Sequence, residues 1–195
     1  RLVNGAGGRL LIGGDLVQVS GIGRSGRGAT VAVGPSSPSM TAATAVQEGA
    51  MPVVARLDQL PFRERAFDTI ATGNAFERLD NDAEGARELA RVVRHGGRAV
   101  LSGVNRDDAL LIRARVLRGL GGVHHPKDAF LHSNDHIREY SWRELERLLV
   151  PAFRILRRHP VGWNRGWKSA IASSLVRRAP ARRFSSAMVL EAEPR

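Results

Sequence analysis

The sequence predicts a single α/β domain, a mostly parallel sheet with helices packed on both faces. Three observations lead there. Seven short apolar runs are spread along the 195 residues, helix-period patterns fall between several of them, and no repeat or low-complexity tract breaks the alternation. With 43% apolar and 25% charged residues, a packed core is expected and global disorder is not.

The elements follow in order. Residues 9–13 and 29–33 read as the first two strands, the second ended by the turn-rich 34–39. A short helix over 40–47 stops at Gly49, and residues 52–55 and 68–72 form the third and fourth strands. The clearest helix covers 83–94, with Ala86, Leu89, Ala90 and Val93 at i, i+3, i+4 and i+7. Glu84 and Glu88 lie toward its start and Arg91 and Arg94 toward its end, as the helix dipole favours. His95, Gly96 and Gly97 are expected to stop it, before a fifth strand over 98–102. A helix over 107–118 buries Leu110, Leu111, Ala114 and Leu117. Ser141 and Glu144 form a capping box for a helix that packs Leu145, Leu148 and Leu149. Residues 153–156 and 187–191 supply the last two strands, separated by a basic insertion over 157–186.

Composition excludes several chemistries. Without cysteine there is no disulfide scaffold, thiolate zinc site, iron–sulfur cluster or cysteine nucleophile. No apolar run approaches the roughly 18–20 residues that span a bilayer, so a soluble, cytoplasmic protein is expected. Thirty basic against nineteen acidic side chains give +11, and only Lys127 and Lys168 are lysine. That arginine preference fits a GC-rich coding bias. The charge is nevertheless concentrated: between Arg154 and Arg183 stand nine basic residues and no acid. Such a stretch attracts anions or an acidic partner. Nucleic acid is the less favoured partner, because no recognition module is visible and aromatics for base stacking are only 5%.

Several short motifs over residues 57–149 occur in a telling order. Leu60, Pro61 and Phe62 precede Ala66, Phe67, Asp68, Thr69 and Ile70; then come Asn74 with Phe76, Glu77 and Leu79. The run Arg87, Glu88, Leu89, Ala90, Arg91, Val92, Val93, Arg94, His95, Gly96, Gly97 and Arg98 follows, and later His136, Ile137, Arg138, Glu139 and Tyr140. Together they resemble the class I S-adenosylmethionine-dependent methyltransferases, in particular the small-molecule branch. The resemblance implies a Rossmann-like seven-stranded methyltransferase sheet, mostly parallel with a C-terminal antiparallel hairpin. It also implies S-adenosylmethionine as cofactor and a small-molecule acceptor methylated on O or N. The cofactor would lie along Gly13, Gly14, Asp15, Gly34, Asp58 and Asn74. His136 and Glu139, after the fifth strand, would orient or deprotonate the acceptor, with Arg138 beside them.

The sequence departs from the family where the cofactor binds. The family has an acid before the first glycine turn; here Asp15 follows Gly13 and Gly14. Where it has a carboxylate for the ribose, this chain has Gly34, and where it has the aspartate that accepts from adenine, this chain has Arg56, a donor. Asp58 lies two residues on and could substitute if the loop were rearranged. Each lost charge-assisted bond is worth about 1.5–3 kcal/mol. Two or three such losses would turn micromolar binding into millimolar or worse.

Two other features invite chemistry. Gly21, Gly23 and Gly26 have the G-x-G-x-x-G form, but a strand begins at Ala29, leaving no room for the helix a dinucleotide site needs. Residues 15–28 as a helix would contain four glycines, so a surface loop or hairpin is the plainer reading. His124, His125, His132 and His136 with Asp128 and Asp135 suggest a metal, yet their spacing is turn-like and none is expected. Trp163 and Trp167 sit in the basic insertion, where packing on the sheet or on a second subunit is favoured over a membrane-surface helix. Two functions stay open: a divergent methyltransferase, or a catalytically inactive pseudo-methyltransferase acting as a binding module or as partner subunit of an active homologue.

Overall fold

A computed structural model describes residues 8–14, 29–35, 50–108, 137–161, 185 and 187–195. Seven strands form one sheet in the order β3-β2-β1-β4-β5-β7-β6. They are β1 (Leu10–Gly14), β2 (Thr30–Gly34), β3 (Met51–Val54), β4 (Phe67–Gly73), β5 (Val93–Val104), β6 (Phe153–Val161) and β7 (Ala187–Pro194). β1 pairs in parallel with β2 and β4, as do β2 with β3 and β4 with β5. β7 runs antiparallel between β5 and β6. The expected fold class is the observed one.

Apolar side chains alternate between two faces, as the pleat requires. Leu11, Val31, Val33, Ile70 and Leu101 point to one core; Leu10, Ile12, Ala32, Ala71 and Val100 point to the other. The larger core is covered by α1 (Asp82–Val92), α2 (Trp142–Leu149) and a 3₁₀ turn (Phe76–Arg78). Leu89 of α1, Leu145 and Leu149 of α2, and Phe76 are fully buried there. Asn81 caps α1 by accepting from the Glu84 amide. The Ser141–Glu144 capping box forms as expected, with both of its reciprocal bonds.

The motifs of the resemblance hold one another. Glu88 accepts from the Leu60 amide at 2.9 Å, while Arg91 donates to Glu88, to the Phe62 carbonyl at 2.8 Å and to the Leu60 carbonyl at 3.2 Å. Phe62 then meets Phe67 edge to face at 5.0 Å. The Leu-Pro-Phe loop is thus fastened to α1, and β4 starts from a fixed point.

Several boundaries differ from the expectation, β7 among them, which continues to Pro194. α1 ends at Val92, ahead of the His95–Gly97 stop, because Val93 is already extended and pairs with Phe67. Residues 94–97 form a bulge before Arg98 resumes pairing with Thr69, and Gly96 takes φ +69° inside it. β6 continues to Val161 rather than stopping at Leu156, since Arg157 to Val161 keep pairing with β7. The expected helices over 40–47 and 107–118, the glycine motif over 21–26, the histidines from 124 to 136 and most of the basic insertion lie outside the described residues. No helix among the described residues is long and apolar enough to cross a membrane.

Candidate functional site

Parallel strands bring their C-terminal ends to one edge, where open α/β sheets bind ligands. Here that edge carries Gly13 and Gly14 of β1, Gly34 of β2, Arg56 and Asp58 after β3, and Asn74 after β4. The sheet therefore brings together five of the expected cofactor residues. Asp15 and His136 lie outside the described residues.

At Gly13 the approach is close: an added Cβ would stand 2.8 Å from the Leu57 side chain. Gly34 is buried and its carbonyl accepts from the Ala55 amide at 3.0 Å, so the end of β2 is bonded to the start of the next loop. No side chain exists there to receive a ribose.

After β3 the chain turns, and Arg56 folds onto Asp58. Its Nε and Nη2 donate to the two carboxylate oxygens at 2.9 and 2.7 Å, and Nη2 also reaches Asp80 at 3.4 Å. The Asp58 side chain is only 5% exposed, whereas Arg56 is 51% exposed. The guanidinium holds the Asp58 carboxyl below its ordinary range despite burial. Each oxygen of this buried acid thus accepts one bond from a residue of the same loop.

Asn74 takes the left-handed backbone, φ +43°, which asparagine tolerates better than most residues. Its amide donates to the Ser102 carbonyl at 3.1 Å, tying the end of β4 to β5. The side chain is 98% buried by its 2% exposure, yet its Oδ1 has no partner among the described residues. Thr72 Oγ1, also buried, is in the same condition.

Beyond Asn74, the structure shows a residue whose part the sequence did not disclose. Glu77 is fully buried, and its Oε1 accepts from the Val104 amide at 2.6 Å. An added Cβ at Gly103 would fall 2.9 Å from that oxygen, so the glycine makes room for the carboxylate. The Glu77 carbonyl accepts from the Ile137 amide at 2.8 Å, anchoring the segment that carries Arg138, Glu139 and Tyr140. Burial pushes the Glu77 carboxyl up to about 7, with nearby Glu139 adding to the effect. Glu139 itself is partly buried. A charged residue between Phe76 and Arg78 in a buried turn was the available signal; the space opposite it at Gly103 is visible only in three dimensions.

The same segment is fastened to α1. Tyr140 donates its hydroxyl to Asp82 at 2.6 Å, and Arg138 donates to Asp82 at 2.7 Å. Burial works to raise the Asp82 carboxyl, but these two bonds outweigh it and hold it low. The Tyr140 phenol is raised, first by burial and then by Asp82. Among the described residues, no three His, Asp or Glu side chains gather into a metal-binding group.

Residues 14–101 match the family model described as a methyltransferase domain. Known structures agree in fold. A candidate methyltransferase from Bacillus halodurans C-125 superposes with TM-score 0.68 at 14% identity, over 98% of this chain and 94% of that one. A candidate methyltransferase in complex with the Trm112 methyltransferase activator of Haloferax volcanii gives TM-score 0.66 at 11% identity, over 96% and 83%. A candidate histamine N-methyltransferase from Thermotoga maritima gives 0.61 at 16% identity, over 95% and 81%. No curated protein sequence matches. Sheet order and these superpositions give the chain the methyltransferase fold, and residues 14–101 are similar to the methyltransferase-domain family.

The described residues do not fit S-adenosylmethionine held in that family's manner. Gly34 offers no carboxylate to the ribose, Arg56 stands where the family has an acceptor, and its guanidinium already donates one bond to each oxygen of Asp58. No methyl-transfer step is therefore built on this edge.

Proposed function

We propose that the domain is a pseudo-methyltransferase, a retained scaffold that works in the cytoplasm as a binding module or as the partner subunit of an active homologue. The Arg56–Asp58 pair carries this reading, because a donor stands where the family has an acceptor and is held there by the neighbouring acid. The strand that leads into the basic insertion supports an acidic partner: Arg157 is exposed on β6, between Arg154 and Arg158, which already pair with Glu193 and Glu146. The Haloferax volcanii relative is a precedent for this fold working with a protein partner. Calorimetric titration of the full chain with S-adenosylmethionine and S-adenosylhomocysteine tests the reading. No heat at millimolar ligand is expected; micromolar affinity would refute it.

A second reading rests on Asn74. A buried amide oxygen with no partner among the described residues, at the end of β4, is suited to a ligand donor. In that case the chain transfers a methyl group to O or N of a small molecule, Gly13, Gly14, Asp15, Asp58 and Asn74 face the cofactor, and His136 with Glu139 serves the acceptor. Micromolar binding in the same titration selects it.

A further inference from the structure

We propose that a cleft at the far end of the sheet from the glycine edge binds a small phosphomonoester with an apolar body, held by Arg65 and His95. The cleft measures about 280 Å³ and is lined from the loop before β4, from α1, from the bulge in β5, from the turn between α2 and β6, and from the end of β7. Strand direction fixes its place. Arg65 stands two residues ahead of β4, and β7, antiparallel to β5, ends beside it at Pro194, opposite Phe153.

Two observations point to an anion. The first is which cations already have partners. Arg91 is held by Glu88 and two carbonyls, with the charge of Glu64 acting on it as well, and Arg87 is held by Glu84. Arg65 and His95 are exposed in the cleft and meet no acid among the described residues. Arg195 donates through Nε to the Phe153 carbonyl at 3.4 Å. The second observation is the backbone of Arg65, which takes φ +56° and is held there by its amide bond to the Arg91 carbonyl at 2.9 Å. Glycine or asparagine would adopt that turn at less cost, so the turn alone gives no reason for an arginine.

The lining selects the chemistry. Arg65, His95 and Arg195 reach the cleft from three separate elements, and the His95 ring offers an N–H donor in either tautomer. A phosphoryl group presents three acceptor oxygens pointing apart, whereas a carboxylate presents two in one plane. Ala90, Pro151, Ala152 and Pro194 make much of the remaining wall apolar, which suits a short hydrocarbon or aromatic body and gives free phosphate nothing to pack against.

Calorimetry of the full chain with phenyl phosphate, inorganic phosphate and phenol tests this. Phenyl phosphate is expected to bind about tenfold tighter than inorganic phosphate, and phenol not to bind. Arg65→Gly removes the cation and suits the left-handed backbone, so it should leave Tm near wild type and weaken phenyl phosphate about tenfold. His95→Ala should weaken it by a smaller factor. Arg157→Ala, which removes an exposed arginine on β6 outside the cleft, should leave binding unchanged. If Arg65→Gly does not fold, Arg65→Asn, which tolerates the same backbone, is read in its place. Equal affinity for phenyl and inorganic phosphate means an adventitious ion only and overturns the proposal. So does an equal loss in Arg65→Gly and Arg157→Ala, which assigns the binding to net charge, and so does phenol binding as well as its phosphate, or no heat with phenyl phosphate at millimolar concentration. The S-adenosylmethionine titration probes the other end of the sheet, and its result leaves this one standing or falling separately.

Discussion

Arg91 on α1 grips Glu88 and, with the same guanidinium, the carbonyls of Leu60 and Phe62. Arg56, in the loop after β3, grips Asp58 and reaches Asp80, so among the described residues its guanidinium meets carboxylates rather than backbone. Chemically the two pairs are alike. They differ in what else depends on them. The α1 pair satisfies backbone groups of a loop that must be fixed before β4 can pair, so it belongs to the fold. The β3 pair satisfies only itself and the acid beside it, at the edge where ligands of this fold enter, so it belongs to the site. An ion pair is therefore judged by the groups it leaves unpaired when removed.

The comparison can be broken or sharpened by experiment. The largest effect is expected under the α1 clamp: Leu89→Ala, a fully buried position, should cost about 2–5 kcal/mol in urea unfolding. Next comes Glu77, a third carboxylate with no arginine clamp of this kind. Its folded-state value near 7 lies above the unfolded 4.5, so the folded state keeps a proton that the unfolded chain gives up. Its contribution is full below about pH 4.5 and is lost as pH rises through 7, on the order of 3 kcal/mol in all. Glu77→Gln should remove that slope, gaining on wild type at pH 8 relative to pH 5 in the same unfolding assay. Arg91→Ala should cost about 1–2 kcal/mol, moderated because Arg91 is 36% exposed. Arg56→Ala should lower Tm least of the four. A larger loss at Arg56 than at Arg91 would erase the distinction between a fold pair and a site pair.

Much of this was legible because it is local or periodic. The α1 stripe, the capping box at Ser141 and the strand cores repeat with the period of their element, and the two motifs fastened by Glu88 and Arg91 are each a few residues long. The end of α1 was misread because two glycines look like a stop, whereas the pairing of Val93 with Phe67, which decides the matter, is tertiary. At the site, the sequence shows a donor at Arg56 where the family has an acceptor, and it offers Asp58 as a substitute. That the two would bond to each other follows from the turn between them, which brings residues two apart face to face. Glu77 was hidden for a different reason: its burial depends on the absence of a side chain at Gly103, twenty-six residues away in sequence and adjacent only in the folded protein.

The strand at one border of the sheet, β6, has a consequence for how molecules of this protein meet. Its outward residues include Arg154, anchored by Glu193, and Arg158, anchored by Glu146, with Arg157 between them. A free strand border is a template on which another chain can zip up and precipitate. Charged side chains held along that border keep water that an incoming backbone would have to strip away. At the opposite border, β3 is only four residues long and carries Pro52, which has no amide to offer an incoming strand. Concentrated solutions should therefore stay free of fibrous aggregates while the fold is intact, and lose that protection first where the arginines are replaced by apolar residues.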